Sequence, residues 1–176
     1  MKIYLIGFMG CSKTIYGKAL ANILNYSFLD LDEVITTISK ASIEDLFSES
    51  ENMFRTIETN AFISTISLDN CVIATGVGTP CFNKNMEWMN NNGITVYLKL
   101  TSTRLQERLT IQKKGRPLLK GLQSNELLDY IQNTLELRTP FHNRAHIIVD
   151  PIEISVQLLN NIITNFHLAN FKINSL

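Results

Sequence analysis

The chain has 176 residues, 45% of them hydrophobic and 18% charged, a balance that supports a packed core and excludes a disordered protein. Sixteen basic residues balance sixteen acidic ones, which excludes a general nucleic-acid binder and confines any phosphate recognition to a local site. The length predicts one domain with enough interior for a full hydrophobic core.

Met1-Lys2 and the apolar run from Ile3 to Cys11 have the outline of a short signal peptide ending in a lipidated cysteine. Lys13 and Lys18 follow at once in a helix-like stretch, without a small-residue cleavage pattern, so an unprocessed, cytoplasmic protein is expected. No run approaches the ~20 apolar residues that cross a bilayer, and no membrane partner is expected. Residues 3–6 form the first predicted strand, closed by Gly7, and 13–24 a helix with Ala19, Leu20, Ile23 and Leu24 on one apolar face. A second strand covers 28–30. Residues 31–68 are too long for one crossover helix and predict two or three, one running from Glu51 to about Ser67, as a small subdomain over the sheet edge. Further strands fall at 71–74, 94–98 and 146–149, each short, branched and apolar, as strands buried on both faces are. Between the last two, 112–124 is polar, basic and broken by Gly115, Pro117 and Gly121, and reads as a loop. The tail 166–176 carries too little pattern to assign. Strands alternating with helices predict an α/β fold, a parallel sheet with helices on both faces.

Cys11, Cys71 and Cys81 match neither a disulfide framework nor a C-x-x-C metal site, as expected in a reducing compartment. His142 and His146 are four apart but lack the carboxylate of an H-E-x-x-H site. The turn after the first strand is more informative. Gly7-Phe8-Met9-Gly10-Cys11-Ser12-Lys13-Thr14 fits the phosphate-binding pattern G-x-x-x-x-G-K-[ST] except at Ser12, where glycine is expected. Such a loop wraps backbone N–H groups round a phosphate at a helix N-terminus, with a lysine for the outer phosphates and a hydroxyl for Mg²⁺. A plain N-cap beside a surface lysine is the alternative.

Asp30 and Asp32 close the second strand, and residues two apart on an extended chain point to one side, into a cleft at the sheet's carboxyl end. One carboxylate suits a metal and the other a substrate hydroxyl; alternatively one caps the next helix. Arg55 and Glu58 are three apart and neighbours on a helix, whether as a surface ion pair or part of a site. The basic loop offers Arg116, a candidate electrostatic clamp that could close over the phosphates. Arg138, just before Pro140, falls where a helix is expected to end.

In this order the segments resemble the shikimate kinases, from the first strand to about Asp150. The matching pieces are Gly7-Phe8-Met9-Gly10 with Lys13-Thr14, Phe28-Leu29-Asp30-Leu31-Asp32, Phe54-Arg55-x-x-Glu58, Ile73-Ala74-Thr75-Gly76-x-Gly78, Arg116-Pro117-Leu118-Leu119 and Arg138-x-Pro140. The resemblance implies a three-layer P-loop kinase fold related to the nucleoside monophosphate kinases, with a five-stranded parallel sheet in the order 2-3-1-4-5. It implies transfer of the γ-phosphate of ATP to the 3-hydroxyl of shikimate by a monomer that needs Mg²⁺, with 31–68 as substrate-binding subdomain and 112–124 as lid. Carried over residue by residue, Gly10, Cys11, Ser12, Lys13, Thr14 and Ile15 would cradle the nucleotide phosphates, with Arg108 near the adenine. Thr14 and Asp30 would hold the metal. Asp32, Arg55, Glu58, Gly76, Val77, Gly78 and Arg138 would form the shikimate site, and Lys13, Asp32 and Arg116 would be catalytic.

Three positions depart from that family's pattern. Ser12 and Val77 replace glycines and Ile15 replaces a hydroxyl residue. A left-handed backbone at Ser12 would cost about 1–2 kcal/mol, and losing a hydroxyl at Ile15 about 1 kcal/mol of phosphate binding. Val77 would be strained at positive φ and would intrude on the acceptor. Weakened binding of both substrates is the expectation. A nucleotide binder that has lost transfer, and a same-fold kinase for another small anionic polyol, are the alternatives.

Overall fold

The computed structural model describes residues 1–111, 119 and 121–171. Five strands, β1 (Lys2–Ile6), β2 (Ser27–Asp30), β3 (Cys71–Ala74), β4 (Ile94–Leu98) and β5 (Ile147–Val149), form one parallel sheet in the order β2-β3-β1-β4-β5. This is the expected order. β1 is central, with Ile3 opposite Val72 on one side and Ile94 on the other.

Alternation along the strands divides the interior in two. Ile3, Leu5, Val72, Val96 and Leu98 face α1 (Lys13–Leu24), α6 (Ser102–Ile111), α7 (Ser124–His142) and α8 (Val156–Phe171), whose Leu20, Leu105, Leu109, Leu127, Ile131, Leu159 and Ile163 fill that side. Tyr4, Ile6, Ile73 and Tyr97 face α2 (Leu31–Ser39), α4 (Glu51–Ser64) and α5 (Asn85–Asn92). α3 (Ile43–Glu49) packs on α4 and adds Leu46 to the same side.

Local chemistry sets the ends of the elements between β2 and β3. Asp30, Ser42 and Ser50 accept hydrogen bonds from the N–H groups of Asp32, Asp45 and Met53, so each helix from α2 to α4 starts on a side-chain cap. α4 passes into a 3-10 turn over Thr65–Ser67, which accounts for the single helix expected to about Ser67.

Two boundaries differ from expectation. α7 runs through Arg138 and Pro140 to His142, so Arg138 lies inside a helix and not at its end. Pro140 removes one amide donor, but the last turn closes regardless through the Asn143 amide on the Thr139 carbonyl at 2.9 Å. α8 extends to Phe171 and absorbs the first residues of the unassigned tail. Of the expected loop 112–124, only 119 and 121–124 are among the described residues, and Ser124 already belongs to α7.

Candidate active site

The turn from β1 into α1 needs its glycines. Gly7 has φ 145°, and a Cβ there would lie 2.7 Å from the Leu98 carbonyl oxygen and 2.8 Å from the Cys11 sulfur. Gly10, at φ 85°, sits directly on Leu109 of α6. Ser12, without glycine's freedom, is nonetheless left-handed at φ 71°, ψ 27°, and caps α1 with no side-chain bond to its amides. Its hydroxyl accepts instead from Arg108 Nη1 at 2.9 Å, and the same nitrogen donates to the Gly10 carbonyl at 3.1 Å. Lys13 Nζ donates to the Gly7 carbonyl at 2.9 Å and to the Phe8 carbonyl at 3.2 Å, so its charge lies over the loop. Thr14 donates to Asp30 Oδ2 at 2.7 Å. Asp30 Oδ1 meanwhile accepts from the Asp32 amide at 3.2 Å, so this carboxylate both caps α2 and reaches the phosphate loop. Ile15 is 69% exposed and bonds nothing in the loop through its side chain.

A cleft of about 770 Å³ opens at the carboxyl ends of β1, β2 and β3, and both expected half-sites line it. Ser12, Lys13, Thr14 and Ile15 stand along it with Asp30, Asp32, Arg55, Glu58, Gly76, Val77, Gly78 and Arg138. Arg55 and Glu58 are not a surface pair: they are 8% and 1% exposed, and Nη1 meets Glu58 Oε2 at 2.8 Å. Glu58 Oε1 accepts from Thr79 at 2.7 Å, while Arg55 Nη2 meets the exposed Glu51 at 3.1 Å. Three phenyl rings surround the Arg55 guanidinium, Phe82 at 4.0 Å and Phe47 and Phe54 each at 5.1 Å. A Cβ on Gly78 would lie 2.5 Å from Arg55 Nη1, and one on Gly76 2.7 Å from Glu58 Oε1 and 3.2 Å from Asp32 Oδ1. Bare backbone is needed at both positions. Val77 is absent from the residues with positive φ, and its side chain packs on the core while edging the cleft. The strain expected there does not arise.

The charges in this cleft are unevenly satisfied. Among the described residues Arg138 forms no ion pair, and burial holds its pKa below the ordinary arginine value. Asp32 is open to the cleft but set deep between its walls, and that desolvation pushes its pKa up to about 6. Lys13 pulls the other way, and Asp30 and Glu58 add to the rise. His142, fully buried, packs at a tilt against Tyr97 with ring centroids 4.9 Å apart and lies beside the Val77 backbone without a hydrogen bond of normal geometry. Burial first, then the charges of Arg138 and Lys13, pushes its pKa down to about 4, so it is neutral at physiological pH. His146 has a different task, its Nδ1 accepting from the Thr95 amide at 3.2 Å.

Of the expected site residues, Arg116 lies outside the described residues. Arg108 is found on the phosphate loop. The sequence reading missed Thr79, Glu51 and the phenylalanine cage. Glu51 carried a usable signal, standing four residues before Arg55 on one helix. Phe47 and Phe82 carried none, because their approach to Arg55 depends on three separate elements.

A profile of the shikimate kinase family matches residues 9–166 of the chain. The chain belongs to this family. The shikimate kinase of Bacteroides fragilis is 41% identical over 179 residues, spanning 97% of this chain and 99% of its own. Among solved structures, the shikimate kinase of Bacteroides thetaiotaomicron superposes with a TM-score of 0.86 at 37% identity, covering 100% of this chain and 99% of that one. The shikimate kinase of Acinetobacter baumannii, solved in complex with shikimate, gives a TM-score of 0.82 at 32% identity, covering 97% and 94%. The phosphate loop and the arginine-lined cleft described above are thus carried on a shikimate kinase fold.

Proposed function

We propose that the protein transfers the terminal phosphate of ATP to the 3-hydroxyl of shikimate, giving ADP and shikimate 3-phosphate. The observation that carries this reading is one continuous cleft lined by Lys13 and the phosphate loop, by Asp32 and by two arginines, Arg55 buried and Arg138 half-buried. Arg55 and Arg138 supply the cationic end for a small anionic acceptor, and two guanidinium groups suit a carboxylate. Arg55 is held rigid by Glu58, Glu51 and the three rings, while Arg138 has no ion-pair partner among the described residues. A carboxylate with a pKa near 6 accepts a proton at neutral pH, which gives Asp32 the acceptor hydroxyl to orient and deprotonate.

The donor set at the loop suits a hard divalent cation, since the Thr14 hydroxyl and the Asp30 carboxylate are adjacent oxygens beside the phosphate cradle. Thr14 and Asp30 would hold Mg²⁺ there, and the ion would neutralise charge on the phosphates of bound nucleotide. Gly10, Cys11, Ser12, Lys13 and Thr14 provide the cradle, with Lys13 turning from the loop carbonyls to the outer phosphates. Arg116 is proposed as the clamp on the transferring group, and residues 31–68 as the acceptor subdomain. No helix among the described residues is long and apolar enough to cross a membrane; a cytoplasmic monomer is part of the same proposal.

The test is ADP release from MgATP by the purified protein with and without shikimate. Shikimate-dependent release is expected. Asp32→Asn and Arg138→Ala should each depress it by about 100-fold or more while MgATP affinity shifts by less than about twofold, because both act on the acceptor side. ADP release indifferent to shikimate, or an equal loss of nucleotide affinity, would overturn these roles.

A further inference from the structure

We infer that Ser12 is a positioning residue that docks Arg108 on the phosphate loop, making this arginine a contact for nucleotide phosphates and not for the base. The inference rests on the proposed nucleotide site and concerns how this chain, with serine in the cradle, grips its donor substrate.

Three observations lead to it. Ser12 keeps a left-handed backbone that glycine adopts without cost, so its retention there calls for a compensating contact. That contact is Arg108, reaching across 96 residues of sequence to donate to the Ser12 hydroxyl at 2.9 Å and the Gly10 carbonyl at 3.1 Å. The base of the arginine is also fixed, because Leu105 and Leu109 on either side of it are fully buried and Leu109 lies directly under Gly10.

The geometry leaves the guanidinium with donors in reserve. Both Nη1 hydrogens are taken by the loop, and the three N–H groups on Nη2 and Nε have no hydrogen bond among the described residues. Arg108 also has no ion pair among the described residues, so an anion at the loop would be its first counter-charge. The Ser12 hydroxyl accepts from Arg108 and retains its own hydrogen for a phosphate oxygen. Ser12 thus fills part of the cradle and brings a second cation, in addition to Lys13, onto the phosphate loop.

Titration calorimetry with MgATP, magnesium tripolyphosphate and adenosine, on the parent, Ser12→Ala, Ser12→Asn, Arg108→Ala and the Ser12→Ala/Arg108→Ala pair, tests this. Tripolyphosphate has no base. Ser12→Ala and Arg108→Ala should weaken MgATP and tripolyphosphate by the same factor, roughly five- to tenfold, and leave adenosine unchanged. The double variant should be no weaker than Arg108→Ala alone, and Ser12→Asn, which keeps an acceptor oxygen and tolerates left-handed backbone, should recover most of the loss. Losses confined to ATP and adenosine would show that the arginine reads the base and would overturn the inference. Additive losses, unaltered affinities or a parent that does not bind tripolyphosphate would overturn it equally. A parent that binds tripolyphosphate but releases no ADP with shikimate would count against the proposed reaction, while the titrations still decide the role of Ser12.

Discussion

A carboxylate that takes a proton near neutral pH needs a pKa close to the working pH, and Asp32, at about 6, has one. Because it must be ionised to accept, kcat/KM for shikimate should fall about tenfold per pH unit below pH 6 and level off above it. His142 stays neutral above about pH 5 and adds no limb of its own in that range. Rates of shikimate-dependent ADP release between pH 5 and 9 check this; a flat profile across pH 6 would remove Asp32 as the base. Residue identities here were partly legible beforehand. Lys13, Thr14, Asp30 and Asp32 follow from a local pattern, since the residues that define it are neighbours in sequence. The choice between capping and site duty for Asp30 was not legible, and in the structure one of its oxygens caps α2 while the other accepts from Thr14 of the phosphate loop. Ser12 reads in sequence only as a missing glycine. Its partner lies in another helix, and no spacing rule connects the two.

At the scale of elements, the strands were the clearest part of the sequence because buried parallel strands are short apolar runs bounded by turns. α8 was harder, although Val156, Leu159, Ile163 and Phe166 follow helical spacing and all face the core. Its polar asparagines at 160, 161 and 165 dilute that pattern. The β3–α5 connection shows how a turn shapes a site from two sides. Gly76 and Gly78 each present bare backbone to a charged side chain of α4, so the turn and that helix seat against each other. Gly78→Ala should drive the Arg55 guanidinium out of place. An increase of about tenfold in the KM for shikimate is expected, with MgATP affinity unchanged, since the cost of a misplaced ionic contact is about 1.4 kcal/mol or more. Steady-state kinetics with each substrate varied in turn would show it; an unchanged KM would mean that Arg55 does not meet the acceptor.

At the scale of the whole molecule, the cleft joins the α2–α4 segment to the central sheet, so a ligand bridging Arg55 on α4 and Arg138 on α7 would tie separate elements together. Shikimate at one hundred times its Kd should add about 2.7 kcal/mol of stability and raise Tm by about 5–10 °C. Arg138→Ala should lose most of that rise in a thermal melt, and an undiminished rise would place the ligand elsewhere. The position of β1 has a different consequence, in the order of assembly. Its neighbours are β3 and β4, some seventy and ninety residues further along, and Tyr16 of α1 bonds to the carbonyls of Pro151 and Ile154 beyond β5. The segment that carries the phosphate loop is therefore made well before the strands it pairs with, and completes its native contacts late. Such distant pairings slow folding and leave an apolar strand waiting. A chain interrupted before Ile154 would hold the complete nucleotide loop in its sequence without the framework that gives the loop its shape.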